Sequence, residues 1–248
     1  MKKLFPEMYD RPDTSLVIAT FVYWFLCYAF VPFGLVLLSV GLPDDTVVLY
    51  RAWLEVGYHL VNGVLAVLIM RSYLRDSFYN VQLHAGRFFK TVAAACAVML
   101  ASAAACFGVM CVMGSADRFF FALPVFDQNI FLNTGNTVST LPIPGALCAS
   151  LLTPLAVSCL FYAPGFAVSA SKKPWLGYLT VTLLFGAFHL FEYFWHLDFS
   201  SALLLFLVRL PVHLIACWSY QKANTVWAPI VSLGVFNLVT ALAAIAFA

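Results

Sequence analysis

Seven long apolar runs, separated by short polar breaks, organise this chain of 248 residues. A helix needs about 20 apolar residues to cross the hydrocarbon core of a bilayer. On that rule the runs predict helices over residues 15–41, 49–72, 89–114, 143–168, 176–197, 200–220 and 225–247. No strict apolar–polar alternation suggests a barrel, and lipid cannot satisfy free backbone groups, so the predicted fold is an all-α, multi-pass transmembrane bundle of about seven spans. The first run, Ser15 to Leu42, is too long for a signal-peptide core and lacks a small-residue cleavage site, so it reads as a retained span.

The polar breaks carry a charge pattern. Lys2 and Lys3 precede the first run. Arg71, Arg75, Arg87 and Lys90 cluster around the second connection, Lys172 and Lys173 in the fourth and Lys222 in the sixth. Alternate connections hold Asp44 and Asp45, then Asp117, Arg118 and Asp127, then Asp198. Lysine and arginine favour the cytoplasmic side. These acidic or mixed connections alternate with the basic ones as a cytoplasmic N-terminus and an outside C-terminus require, with Arg51 as the exception. In a bacterium this would be a plasma-membrane protein. The connection over 115–142, with Phe119, Phe120, Phe121 and several prolines and asparagines, is expected to lie along the membrane surface. With no linker or repeat, residues 1–248 read as one membrane domain.

Composition agrees with a lipid-embedded class. The chain is 63% hydrophobic and 10% charged, where soluble domains carry about a quarter charged residues. A formal net charge of +2 gives no basis for nucleic-acid binding. The seven cysteines all lie in apolar stretches without a Cys-x-x-Cys pair, which marks them as packing residues rather than a disulfide frame.

Charge inside lipid is costly, so ionisable residues within the runs are the candidates for function. His189, Glu192 and His196 stand at i, i+3 and i+7 and share one helix face. Two imidazoles and a carboxylate on one stripe suit a divalent metal; they equally suit a polar seam against another helix. Glu55 and His59 stand at i, i+4 with Asn62 close by, either as a pair between helices or as an acid offered to a shared cavity. Arg209 and His213 repeat that spacing around Pro211.

Three segments together carry a family likeness. Phe185-Gly186-Ala187-Phe188-His189 matches Phe-x-x-x-His, and Trp227-Ala228-Pro229-Ile230 leads into a helix ending its motif at Asn237. With Thr153 to Tyr162 upstream, the order over residues 133–248 resembles the CPBP family of CAAX proteases and bacteriocin-processing enzymes, also called the Abi family. Residues 15–132 are outside the likeness. The resemblance implies a CAAX-protease-like core in the C-terminal half and an intramembrane metalloprotease ancestry. It also implies roles for His189 as a metal or water ligand and for Asn237 at the oxyanion. The family's paired glutamates fall at Val157 and Ser158, its arginine at Tyr162 and its second histidine at Leu233. Valine and leucine neither bind metal nor accept a proton.

The expected function is therefore a catalytically degenerate, membrane-embedded binding, immunity or regulatory protein without a cofactor. Its partners would be the bilayer and a membrane peptide, prenylated peptide or partner helix. The competing expectation is an active metalloendopeptidase holding zinc or another divalent metal through His189, Glu192 and His196. There Glu192 or Glu55 replaces the lost acid, and His196 or His59 the lost histidine. A small transporter subunit lined by Glu55, His59, Glu192 and Arg209 is the third.

Overall fold

The computed structural model describes residues 11–29, 37, 44–112, 140–183 and 199–247. These are almost wholly helical, with no strand among them. A helix falls in each of the seven predicted segments: α1 (Thr14–Ala29), α2 (Asp44–Leu83), α3 (Ala85–Val112), α4 (Pro142–Lys172), α5 (174–183), α6 (Phe199–Ala223) and α7 (Trp227–Phe247). Three of them, within α2, α3 and α4, are long and apolar enough to cross a membrane. The connection over 115–139 lies outside the described residues, as do His189, Glu192, His196 and Asp198.

The largest departure from the expected pattern is α2. It runs 40 residues, or about 60 Å at 1.5 Å per residue, twice the hydrocarbon thickness. The predicted connection after residue 72 is helix as far as Leu83. No glycine or proline interrupts residues 64–85, so polarity alone does not stop the helix. The break comes at His84, whose carbonyl accepts from the amides of Arg87 and Phe88, each at 3.0 Å, and starts α3.

Packing faces follow the helical period. On α3 the buried positions are Phe88, Thr91, Val92, Ala95, Met99 and Ala103. On α7 they are Ala228, Pro229, Ser232, Leu233, Phe236, Asn237, Thr240 and Ala241. A central core joins Met70, Tyr73, Met99, Leu160, Tyr162, Phe166, Tyr220 and Phe236 across five helices. Lys173 precedes Pro174 and is extended (φ −149°, ψ 128°), which ends α4 because proline disfavours the helical region in the residue before it.

Contacts between helices fix their relative direction. Thr153 Oγ1 lies 3.4 Å from His59 Nδ1, and Cys148 Sγ lies 4.0 Å from the Val56 carbonyl. Further along, the Phe166 ring packs at a tilt against Tyr220, whose hydroxyl bonds that of Tyr73. Residues 153 and 166 of α4 thus stand level with 59 and 73 of α2, and the two helices run parallel. The α6–α7 turn closes at the same end. Asn224 takes a left-handed conformation (φ 56°), which asparagine tolerates better than most residues. Thr225 Oγ1 accepts from the Trp227 amide (3.3 Å) and bonds Ser77 Oγ (2.8 Å). The Trp227 indole donates to the Leu74 carbonyl at 3.0 Å. Trp227, singled out by the family likeness, is therefore a clamp that pins α7 to α2. Thr225→Ala removes the cap and the link to Ser77 together; it is expected to cost about 1 kcal/mol, read as a lowered unfolding midpoint of the purified protein.

Arg11 Nη1 donates to Ser171 Oγ (3.1 Å), which brings the start of the described chain to this end too. As a result, eight of the ten described lysines and arginines share one end of the bundle: Arg11, Arg71, Arg75, Arg87, Lys90, Lys172, Lys173 and Lys222. Only Arg51 and Arg209 lie elsewhere among the described residues.

Candidate functional site

Several buried polar residues converge on one turn of α4. Residues Cys148–Leu152 are π-helical, and the Thr153 amide bonds back to the Cys148 carbonyl rather than to Ala149. The next amide along would belong to Pro154, which has none. The Ala149 carbonyl is therefore left without a donor from its own helix. Asn237 of α7 supplies one: its Nδ2 donates to Ala149 O at 2.7 Å, with both residues buried. One turn earlier, Gly234 lets the two backbones close, since a Cβ there would sit 2.7 Å from the Ser150 carbonyl oxygen. π-Helical turns recur at functional sites, and here one turn holds α7 on one side and α2 on the other.

From α2 come Glu55, His59 and Asn62, exposed by no more than 2%. His59 Nε2 is 3.8 Å from Glu55 Oε1, so this pair forms along one helix rather than between two. His59 Nδ1 meets Thr153 Oγ1. Asn62 accepts from the Tyr23 hydroxyl of α1 at 2.7 Å. Among the described residues, Asn62 Nδ2 and Ser158 Oγ are buried without a hydrogen-bond partner, which native interiors seldom allow.

A second polar contact lies further along α4. The Tyr162 hydroxyl bonds His213 Nδ1 of α6 at 2.5 Å, and the buried Arg209 lies one turn before it. Val157, Ser158, Tyr162 and Leu233 are all buried, and Val157, Tyr162 and Leu233 belong to the same apolar core.

Of the residues expected to matter, the structure thus brings Glu55, His59 and Asn237 to one stretch of α4, residues 148–153. It sets Tyr162 and His213 apart from them, more than two helical turns beyond Ala149. Cys148 and Thr153 also belong to this stretch and were not foreseen. The usable signal for them was Pro154 inside an apolar run, which announces an unmatched carbonyl one turn upstream. Among the described residues no group of three or more histidine, cysteine, aspartate or glutamate side chains gathers as a metal site. Cys96, Cys106, Cys111, Cys148, Cys159 and Cys217 are free thiols.

Neither a protein-family model, nor a curated protein, nor a solved structure matches this chain.

Proposed function

We propose that this chain is a multi-pass membrane protein built on a CPBP-like scaffold, acting as a membrane-embedded binding, immunity or regulatory protein rather than as a peptidase. Seven spans, a cytoplasmic N-terminus and an outside C-terminus complete the reading. The three long apolar helices and the gathering of basic residues at one end support it.

One observation carries the loss of catalysis. At the positions aligned with the proteolytic motifs, Val157 and Leu233 are packed into the apolar core, and the Asn237 amide serves a backbone carbonyl. Hydrolysis needs either about three protein ligands around a metal with an open position, or a carboxylate within reach of a water. Neither Val157 nor Leu233 supplies such a group, and Tyr162 is bonded to His213.

The full chain in nanodiscs, given zinc and a photo-crosslinkable prenylated peptide, is expected to capture the peptide and release no cleavage product. Product formation that disappears in His189→Ala would refute this reading. A second reading draws on the convergence of Glu55, His59 and Asn237 at residues 148–153. In it a relocated acid, Glu55, activates water. That reading requires cleavage by the wild type and its loss in Glu55→Gln.

A further inference from the structure

The basic end of the bundle is a belt rather than a scatter. Arg71 and Arg75 stand at i, i+4 on α2, and Arg87 and Lys90 at i, i+3 on α3; all four are exposed. Arg87 and Lys90 follow the His84 turn within two helical turns, Arg71 and Arg75 precede it by 13 and 9 residues along α2, and beneath the turn Val81, Phe88, Val92, Ala223 and Ala228 pack together. Lys222 precedes Ala223 in that packing, so α6 delivers a further cation to the same rim. Exposed Lys172 and Lys173 continue it across the α4–α5 turn.

Two acids accompany these eight cations among the described residues, Asp13 and Asp76. Asp76 lies beside Arg75 at 3.4 Å, where both side chains are largely solvent-exposed. The remaining cations leave a clear positive excess. Aromatic side chains share the level: Tyr79 is 60% exposed, Phe89 66% and Trp175 58%. Tyrosine and tryptophan rings settle at the headgroup depth of a bilayer. A row of cations at that same depth faces the phosphates of the lipid.

From this we infer that the basic rim carrying the Arg71–Arg75 and Arg87–Lys90 pairs, together with Lys222, is a docking surface for the phosphate headgroup of an anionic phospholipid. The occupant is a lipid and not a free anion, because the exposed rings next to the cations need an acyl boundary to cover them. The inference rests on the membrane placement proposed above and not on the fate of the catalytic positions.

Full-length protein in mild detergent, titrated with phosphatidylglycerol, phosphatidylcholine or inorganic phosphate and read by native mass spectrometry, tests it. Phosphatidylglycerol is expected to bind at least about tenfold more tightly than phosphatidylcholine, with the preference shrinking as salt rises. Each charge near the surface is worth about fivefold, so Arg87→Gln with Lys90→Gln lowers phosphatidylglycerol affinity about 25-fold. Arg71→Gln with Arg75→Gln is the parallel pair, and loss in either pair supports the surface and locates the headgroup. Phosphatidylcholine binding, unchanged in these variants, certifies that they remain folded. Equal affinity for the two lipids overturns the inference. So does wild-type affinity in both double variants, or displacement of phosphatidylglycerol by millimolar inorganic phosphate. Absence of any lipid binding would instead strike the membrane placement itself.

Discussion

Asn237→Leu lowers the stability of the protein by about 1–3 kcal/mol, the cost of leaving a buried carbonyl without a donor. The leucine is close in size to the amide, so little of the loss comes from packing. It comes from Ala149 O, which the Asn237 amide holds at 2.7 Å and which its own helix cannot serve. The double variant with Pro154→Ala separates this cause from others. Alanine restores the amide at position 154. If α4 stays π-helical, that amide reaches Ala149 O; if it relaxes to α, the Thr153 amide does. Either way the carbonyl regains a partner, and Asn237→Leu costs less in the Pro154→Ala background than in the wild type. Helicity followed through a denaturing-detergent titration measures all three variants. Additive losses would show that Asn237 stabilises through something other than Ala149.

This role for Asn237 bears on the family likeness. In the proteases that the motif order resembles, the corresponding asparagine is expected at an oxyanion. Here its amide already completes a helix that a proline has opened. A residue can therefore occupy the aligned position for a structural reason alone. The same holds for Trp227, whose indole donates to the Leu74 carbonyl. In a degenerate relative, scaffold contacts of this kind would outlast the chemistry, because losing them would open the α4–α7 and α2–α7 junctions. The likeness in motif order and the apolar replacements at Val157 and Leu233 are then compatible.

Much of the architecture was legible in the sequence. Apolar runs near the bilayer length placed a helix in each of seven segments, because burial of a continuous apolar stretch dominates every local preference. Alternation of charged connections anticipated the single basic end. The length of α2 was not legible: Arg71, Arg75 and Asp76 looked like a connection, yet polar residues are sound helix formers when no glycine or proline intervenes. Nor was the pairing of Glu55 with His59 along one helix, since spacing of i, i+4 permits contact without choosing the partner. The crossroads at residues 148–153 was least accessible. It depends on which carbonyl the Thr153 amide selects, a choice between neighbouring registers that no side-chain pattern records. Pro154 signals that a carbonyl is orphaned, and only the fold shows that α7 answers it. Asn62 and Ser158, buried with unmatched polar atoms, gave no sequence signal of comparable strength.

Gly234→Ala provides the opposite test of the same junction, by adding an atom instead of removing a bond. Alanine in the interior of a helix is ordinarily favourable to glycine by about 1 kcal/mol. Gly57 of α2 shows the ordinary case: a Cβ there meets nothing within 4 Å, and Gly57→Ala is expected to stabilise by up to that amount. At Gly234 the new Cβ would stand 2.7 Å from Ser150 O, a backbone atom that cannot rotate away. The helices must separate, and overpacking of this kind costs about 1–3 kcal/mol. The net sign is therefore destabilising at Gly234 and stabilising at Gly57, for the same substitution in the same kind of element. Separation also lengthens the Asn237–Ala149 hydrogen bond, because Gly234 and Asn237 lie one turn apart on α7. Gly234→Ala and Asn237→Leu should then be less than additive: once the alanine has pushed α7 off α4, the amide has less left to lose. A stabilising Gly234→Ala, or full additivity with Asn237→Leu, would mean that α7 does not rest on the π-helical turn of α4.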